Sequence, residues 1–234
     1  IEGTYNVLEA SKNLKVKQVL IFSTSEVYGS AKFIPMNEKH PKTAQSPYAA
    51  SKIGADQIAI SYHKSFNTPV KIVRPFNVFG ERQHPEKFIP MTIKNVADGN
   101  MVTIHSDRDK KVPGSRHYIH AKDVADGMLF LLKNQDKISG LDKDYGGAKC
   151  PKFNLVGPVE WDNLVLAQKI SMAQNKELKY EMVDFHTSRP GHDLRYALDG
   201  SFMKELGWEP KVSIEERISQ VVNWTLNNDR WLKS

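Results

Sequence analysis

The sequence has a single cysteine, Cys150, among its 234 residues. One thiol excludes an internal disulfide framework and a cysteine-rich zinc site, and it favours a protein of the reducing cytoplasm with no bound metal. Long apolar runs are also lacking, since none approaches the roughly 20 residues that cross a bilayer. The first residues lack the basic start and apolar middle of a signal peptide. These absences predict a cytoplasmic protein that does not enter a membrane.

The charge is not strongly of one sign. The chain has 33 Lys and Arg against 27 Asp and Glu, which gives a net charge of +6. Nucleic-acid-binding proteins concentrate their basic residues in one stripe, whereas here these residues are dispersed and the densest cluster, 107–111, mixes both signs. With 40% hydrophobic residues the composition also excludes a disordered chain. We therefore expect a globular protein without a nucleic-acid partner, whose mild positive charge suits an anionic diphosphate.

Two nearly continuous apolar runs, Gln18–Thr24 and Val70–Arg74, predict strands that are buried on both faces. A long helix lies between them, with Ser46 as its N-cap and Pro47 at its first position. Another helix, Ile1–Asn13, precedes the first run. This order of helix and strand predicts an α/β protein with a doubly wound parallel sheet.

Beyond Gly80 the predicted elements are shorter. Helices are expected over Phe88–Asp98, Val124–Lys133, Asn163–Gln174, Ser201–Leu206 and Ile214–Asn227, and strands over Met101–His105, Arg116–His120 and Lys152–Val156. A capping box of Ser213 and Glu216 opens the last helix. The stretch 136–151, rich in Gly, Lys and Asp, is expected to be a loop.

Tyr48 and Lys52 stand four residues apart in the predicted long helix. Residues at this spacing are neighbours on a helix, so the Lys52 ammonium favours ionisation of the Tyr48 phenol. A phenol activated in this way can exchange a proton with a sugar hydroxyl while a hydride moves to or from a nicotinamide. The spacing alone also occurs in exposed surface pairs, so its context decides the interpretation.

That context is the carboxyl end of each predicted strand. Thr24, Ser25 and Glu26 follow the first strand, and the segment Arg74–Gly80 ends the second. Open α/β sheets bind their ligands at the carboxyl ends of their strands. We therefore expect a hydroxyl and a carboxylate to face the Tyr–Lys helix across one cleft.

In this order and spacing, the motifs resemble those of the extended short-chain dehydrogenases/reductases that act on nucleotide-sugars, and the resemblance covers essentially the whole chain. The later part is similar to the dTDP-glucose 4,6-dehydratases. The resemblance implies NAD as cofactor, a nucleotide-diphosphate sugar as substrate, and a homodimer formed by the helix before the first strand and the Tyr–Lys helix. It also implies a Rossmann-type NAD-binding domain over 1–80 and about 115–157, and a smaller nucleotide-sugar-binding α/β domain over about 81–114 and 158–234.

The resemblance assigns the residues of the site. The implied catalytic residues are Thr24, Ser25, Glu26, Tyr48 and Lys52. The implied contacts to the cofactor are Ser23, Tyr48, Lys52, Pro75 and Asn77. The implied contacts to the substrate are Asn77, Glu86, Lys87, Phe88, Arg116, Asn154, Arg189 and His192. The implied reaction oxidises the sugar at C4, eliminates water across C5 and C6 through Glu26, and returns the hydride to C6.

Two departures from the family pattern leave alternatives open. The family's glycine-rich phosphate loop is absent from the sequence, so the resemblance implies that roughly 80–100 residues precede Ile1, and that this chain alone binds NAD poorly and has little or no activity. Ser25 also stands where dTDP-glucose enzymes generally have Asp, and Thr24-Ser25-Glu26 instead resembles the motif of GDP-mannose 4,6-dehydratases and UDP-glucuronate decarboxylases. A decarboxylase and a 4-epimerase are therefore alternatives within the family, and a non-catalytic remnant or scaffold is the alternative outside it.

Overall fold

The computed structural model describes residues 1–139, 150–185 and 195–232. Its helices are α1 (Glu2–Asn13), α2 (Pro47–Phe66), α3 (Phe88–Asp98), α4 (Ala121–Lys133), α5 (Gln135–Ser139), α6 (Asn163–Ala173), α7 (Ser201–Glu205) and α8 (Ile214–Leu226). Its strands are β1 (Val19–Phe22), β2 (Val70–Pro75), β3 (Val78–Phe79), β4 (Val102–Ser106), β5 (Ser115–His117), β6 (Ile119–His120), β7 (Lys152–Leu155), β8 (Glu160–Asp162), β9 (Tyr180–Asp184) and β10 (Arg195–Tyr196). Short 3-10 turns span Ser25–Tyr28 and Asp229–Leu232.

The chain forms two compact units. The first contains residues 1–76, 124–156 and 197–209, and the second contains residues 77–123, 157–196 and 210–234. The functional names given to the two domains from the sequence stay predictions, because nothing in the fold identifies what either unit binds.

The first unit is built on a parallel sheet of β1, β2 and β7, in that order. Every residue of β2 and β7 is buried, as continuous apolar strands inside a parallel sheet require. Leu8 of α1 and Ala59 of α2 join Ile21 and Ile72 in one apolar core. The prediction of an α/β fold with a parallel sheet is confirmed.

Helix α2 begins and ends as its sequence dictates. The Ser46 hydroxyl accepts a hydrogen bond from the Ala49 amide at 3.1 Å, and Pro47 occupies the first helical position. The helix ends at Asn67, whose φ of 52° is the left-handed conformation that Asn tolerates better than most residues. These signals fix where Tyr48 and Lys52 lie along the helix.

The described residues of the second unit form three small sheets, in the orders β10-β5-β8, β3-β6 and β4-β9. Helices α3, α6 and α8 supply most of its apolar core, which includes Ile93, Leu166 and Ile218. The single strand predicted over Arg116–His120 is wrong, since Tyr118 interrupts it and the two halves pair with different partners. The sequence did not predict strands β3, β8, β9 and β10.

Among the described residues, no helix combines the length and the apolar character needed to cross a membrane. Most of the predicted loop over 136–151 lies outside the described residues, and its first part is the short helix α5.

Candidate active site

The chain leaves β1 through the 3-10 turn Ser25–Tyr28, which carries the predicted carboxylate. Thr24 caps this turn, because its hydroxyl accepts a hydrogen bond from the Glu26 amide at 3.3 Å. The Glu26 side chain is exposed, whereas Ser25 is buried. Gly29 ends the turn with a φ of 63°, and a Cβ there would lie 2.1 Å from the Thr43 carbonyl oxygen. Only glycine fits this close approach.

Lys52 joins α2 to the end of β1. Its Nζ donates a hydrogen bond of 2.8 Å to the carbonyl oxygen of Phe22, the last residue of the strand. Tyr48, one turn earlier on α2, is 51% exposed. The structure therefore brings the Tyr-x-x-x-Lys pair to the strand end from which Thr24 and Glu26 follow, and it leaves the phenol and the carboxylate open to a ligand.

The predicted cofactor contacts Ser23 and Pro75 lie at the carboxyl ends of β1 and β2, and both are buried. Asn77, which follows β2 in the second unit, has a φ of 41° and donates from Nδ2 to the His117 carbonyl oxygen at 3.4 Å.

A buried polar network lies behind the turn. Arg74 of β2 is fully buried, and it donates from Nη2 to Asp56 Oδ2 at 2.7 Å and from Nη1 to the Tyr28 hydroxyl at 2.8 Å. Lys42 Nζ contacts the same Asp56 oxygen at 3.3 Å. Burial would raise the pKa of Asp56, but Arg74 and Lys42 lower it and the net shift is downward. The carboxyl is therefore held as an anion between two cations.

Asn154, predicted to contact the substrate, belongs to this network. Its side chain is fully buried, with Oδ1 accepting from Tyr28 at 2.8 Å and Nδ2 donating to the carbonyl oxygens of Met36 and Asp199 at 3.3 Å each. All of its amide groups are thus engaged within the first unit. The structure places Asn154 as support beneath the turn, and its contact with a substrate stays a prediction.

Glu38 is a buried carboxyl on the far side of Asn154. Its Oε1 accepts a hydrogen bond from the backbone amide of Asn154 at 2.8 Å. Burial raises the pKa of Glu38 to about 7, because this hydrogen bond and the charge of Arg74 offset only part of the desolvation. The folded protein therefore binds a proton here more tightly than the unfolded chain, whose carboxyl has its ordinary pKa of 4.5.

We expect Glu38 to make stability depend on pH. Its contribution is complete below pH 4.5 and is lost as the pH rises through about 7, a fall of about 3 kcal/mol in the free energy of unfolding. Glu38→Gln should abolish this part of the fall, whereas the exposed Glu209→Gln should retain it. Urea denaturation at pH 5 and pH 8 measures the difference. An equal fall in wild type and Glu38→Gln would contradict the assignment.

The remaining predicted substrate contacts that the structure describes lie in the second unit. Glu86 and Lys87 are exposed just before α3. Phe88, the first residue of that helix, is partly buried and packs against the apolar core of the second unit. Arg116, in the central strand β5, is partly exposed and donates from Nη1 to the Ser115 carbonyl oxygen at 2.6 Å. Arg189 and His192 lie outside the described residues.

Four residues that support the site were not predicted from the sequence: Tyr28, Glu38, Asp56 and Arg74. Asp56 had a usable signal, because it is a charged residue on the buried stripe of α2, four residues after Lys52. Arg74 had one too, as a cation at the end of an apolar strand. Tyr28 and Glu38 carried no local signal, since their partners are distant in sequence.

Comparison with known proteins finds clear relatives of this chain. Residues 1–221 match the family model described as GDP-mannose 4,6 dehydratase. The chain is 32% identical over 229 residues to the low-salt glycan biosynthesis protein Agl12 of Haloferax volcanii, covering 98% of this chain and 68% of that protein. It is 33% identical over 230 residues to a dTDP-glucose 4,6-dehydratase of an Actinoplanes species, covering 98% of this chain and 66% of that protein.

A solved structure shows the same fold. The crystal structure of dTDP-glucose 4,6-dehydratase from Bacillus anthracis, in complex with NAD, matches with a TM-score of 0.81 and 30% identity, over 99% of this chain and 68% of that one. The chain thus spans about two thirds of the length of these relatives. The sequence match and the shared fold agree, and the chain belongs to the NAD-dependent epimerase/dehydratase family.

Proposed function

We propose that the protein is an NAD-dependent nucleotide-sugar 4,6-dehydratase. The observation that carries this proposal is the 2.8 Å hydrogen bond from Lys52 to the Phe22 carbonyl, which sets the Tyr48 helix at the strand end that continues into Thr24 and Glu26. A phenol, a hydroxyl and a carboxylate at one sheet edge are the groups that a C4 oxidation followed by elimination requires.

The side chains at this edge fit the nicotinamide end of NAD, since they supply an exposed phenol, an ammonium and a threonine hydroxyl. When bound, NAD accepts a hydride from C4 of the sugar and returns it to C6. Lys52 would hold the ribose and the ionised phenol, and Ser23, Pro75 and Asn77 would line the ring. Tyr48 takes the proton of the C4 hydroxyl, and Thr24 donates a hydrogen bond to the C4 oxygen.

Glu26 carries the elimination in this proposal. The C4 ketone acidifies the proton on C5, and the exposed Glu26 carboxylate takes it. Ser25 is buried and has no acidic proton to supply, so the protonated Glu26 passes its proton to the departing C6 hydroxyl, which leaves as water. C5 later takes a proton from solvent, and Tyr48 releases to solvent the proton that it took from the C4 hydroxyl, so the net change is the loss of one water. The resemblance also assigns the nucleotide diphosphate to the segment that contains Lys87 and a phosphate to Arg116, whose cations suit an anion, and it puts Arg189 and His192 beside the nucleotide.

Incubation of the full-length gene product with a panel of nucleotide-sugars tests the proposal. A dehydratase product is lighter than its substrate by one water. A pentose made from UDP-glucuronate would show a decarboxylase, an alternative that also fits Ser25 in place of Asp, and a product of unchanged mass would show an epimerase. If no substrate loses water or carbon dioxide and none is isomerised, the alternative of a non-catalytic scaffold would remain.

We propose a homodimer that pairs α1 and α2 with the same helices of a second copy. Helix α1 exposes Tyr5 and Val7, and α2 exposes Phe66, although the two helices already pack on each other. Exposed apolar side chains on adjacent helices favour burial against a partner. We expect a dimer by light scattering at tens of micromolar, and a shift toward monomer in Val7→Lys but not in Thr103→Lys on β4. A monomeric wild type would contradict this assignment.

A further inference from the structure

Arg74 connects the two elements that carry the proposed chemistry. One of its nitrogens bonds Asp56 on α2 at 2.7 Å, and another bonds Tyr28 of the 3-10 turn at 2.8 Å. Asp56 lies one helical turn beyond Lys52 and two beyond Tyr48 on the same helix. The buried Arg74 guanidinium therefore connects the 3-10 turn Ser25–Tyr28 to helix α2, which carries Tyr48 and Lys52.

Tyr28 is the last residue of the 3-10 turn Ser25–Tyr28, and several neighbouring side chains contact it. Its hydroxyl accepts from Arg74 and donates to Asn154 Oδ1 at 2.8 Å. Its ring lies edge-on to His40, with ring centres 5.5 Å apart, and the Arg74 guanidinium lies 5.0 Å from the ring centre. All of the Tyr28 side chain is buried. Buried and fully hydrogen-bonded polar groups fix a local geometry more firmly than exposed ones.

Glu26 lies between two fixed ends. Its amide bonds the Thr24 hydroxyl at 3.3 Å, and its carbonyl accepts from the Gly29 amide at 3.2 Å. Beyond Gly29, the Thr43 amide donates to the Val27 carbonyl at 3.1 Å and closes the segment that follows the turn. Among the described residues, none forms a hydrogen bond or an ion pair with the exposed Glu26 side chain, so the position of the Glu26 Cα depends on how firmly Thr24 and Tyr28 are held.

We propose that Tyr28 and Arg74 are positioning residues, which hold the Glu26 carboxylate in register with Tyr48 and Lys52 so that elimination can follow oxidation. This inference rests on the proposed function. It differs from a general contribution to stability, because it predicts that loss of the Tyr28 hydroxyl harms the step carried by Glu26 more than the step carried by Tyr48.

Hydrogen exchange tests the positioning without requiring activity. Tyr28→Phe keeps the ring and leaves Arg74 Nη1 and Asn154 Oδ1 without this partner, so the turn should open more often. We expect the amides of Gly29 and Thr43 to exchange about tenfold faster. The matched control is Tyr62→Phe, which removes a hydroxyl that donates to Glu9 at 2.6 Å and lies about 21 Å along α2 from Tyr48. It should leave both amides unchanged.

Kinetics of the full-length gene product tests the link to chemistry. In Tyr28→Phe we expect C4 oxidation and KM within about threefold of wild type, and elimination slower by about tenfold to a hundredfold, the scale of a misplacement near 1 Å. In a Glu26→Gln background the same change should slow elimination by less than about twofold, because residues that act as one unit are not additive. Arg74→Lys should behave as Tyr28→Phe does, since Lys cannot bond two partners in the guanidinium geometry.

The outcomes separate the two proposals. Unchanged exchange at Gly29 and Thr43 overturns the positioning role whatever the activity. Faster exchange with oxidation and elimination slowed equally also overturns it, because the network then contributes only stability. If the wild type converts no nucleotide-sugar, the proposed function is wrong and the inference falls with it. If the wild type is active but the effects of Tyr28→Phe and Glu26→Gln on elimination are additive, the positioning role is wrong and the proposed function stands.

Discussion

Glu26→Gln is expected to leave C4 oxidation intact and to slow the elimination of water by about 10²–10⁴-fold, a rise of about 3–5 kcal/mol in the barrier. An amide cannot accept the C5 proton, whereas oxidation relies on Tyr48, Lys52 and Thr24. The exposed position of Glu26 makes this separation feasible, since the substitution disturbs no buried contact. The reaction should therefore stop at the 4-ketone stage.

The stalled reaction has a direct readout in the full-length gene product. Reduced nicotinamide absorbs in the near ultraviolet, so its absorbance should persist on the Glu26→Gln enzyme after mixing with substrate and decay on the wild type. Glu205→Gln, an exposed glutamate of α7, is the matched control and should behave as wild type. Full turnover in Glu26→Gln would remove the carboxylate from the proposed mechanism.

Arg74→Leu is expected to lower the free energy of unfolding by about 3–5 kcal/mol. The substitution removes the buried ion-pair partner of Asp56, leaving Lys42 at 3.3 Å from the same carboxylate, and it also removes a partner of Tyr28. A more exposed pair with the same nitrogen-to-oxygen distance provides the control, because Arg195 Nη2 lies 2.7 Å from Glu160 Oε2 and the two side chains are 59% and 21% exposed. Arg195→Leu should cost about 1 kcal/mol or less.

Urea denaturation of the three proteins at one pH measures this contrast. Nearly equal losses in Arg74→Leu and Arg195→Leu would show that burial does not set the strength of the Arg74–Asp56 pair. A large loss in Arg74→Leu alone would support the network as the structural base of the turn, whether or not the protein acts on a nucleotide-sugar.

Much of the first unit could be predicted from local patterns. The apolar runs around Ile21 and Ile72 are long enough to require burial on both faces, and the Ser46 cap fixes the start of α2. Helical spacing then places Lys52 four residues after Tyr48, and the end of β1 places Thr24 nearby. These features depend on neighbours in sequence, so a single sequence carries them.

The supporting network could not be predicted in the same way. The bond from Tyr28 to Asn154 joins residues 126 positions apart, and that from Arg74 to Tyr28 spans 46 positions. Periodicity says nothing about such pairs, and resemblance alone assigned Asn154 to a ligand. In the second unit, β4 pairs with β9, and the paired residues Val102 and Tyr180 are also far apart in sequence. Strand β9 is partly exposed and lacks the apolar run that marks a buried strand.

Solvent deuterium most directly tests the central claim that this edge carries out a 4,6-dehydration. The full-length gene product should convert a glucose-type nucleotide-sugar in deuterated water into a 4-keto-6-deoxy product that has lost one water and carries one deuterium at C5. Both features follow from proton removal at C5 and its later replacement from solvent. Conversion of UDP-glucuronate to a pentose, with no loss of water from any glucose-type substrate, would contradict the account.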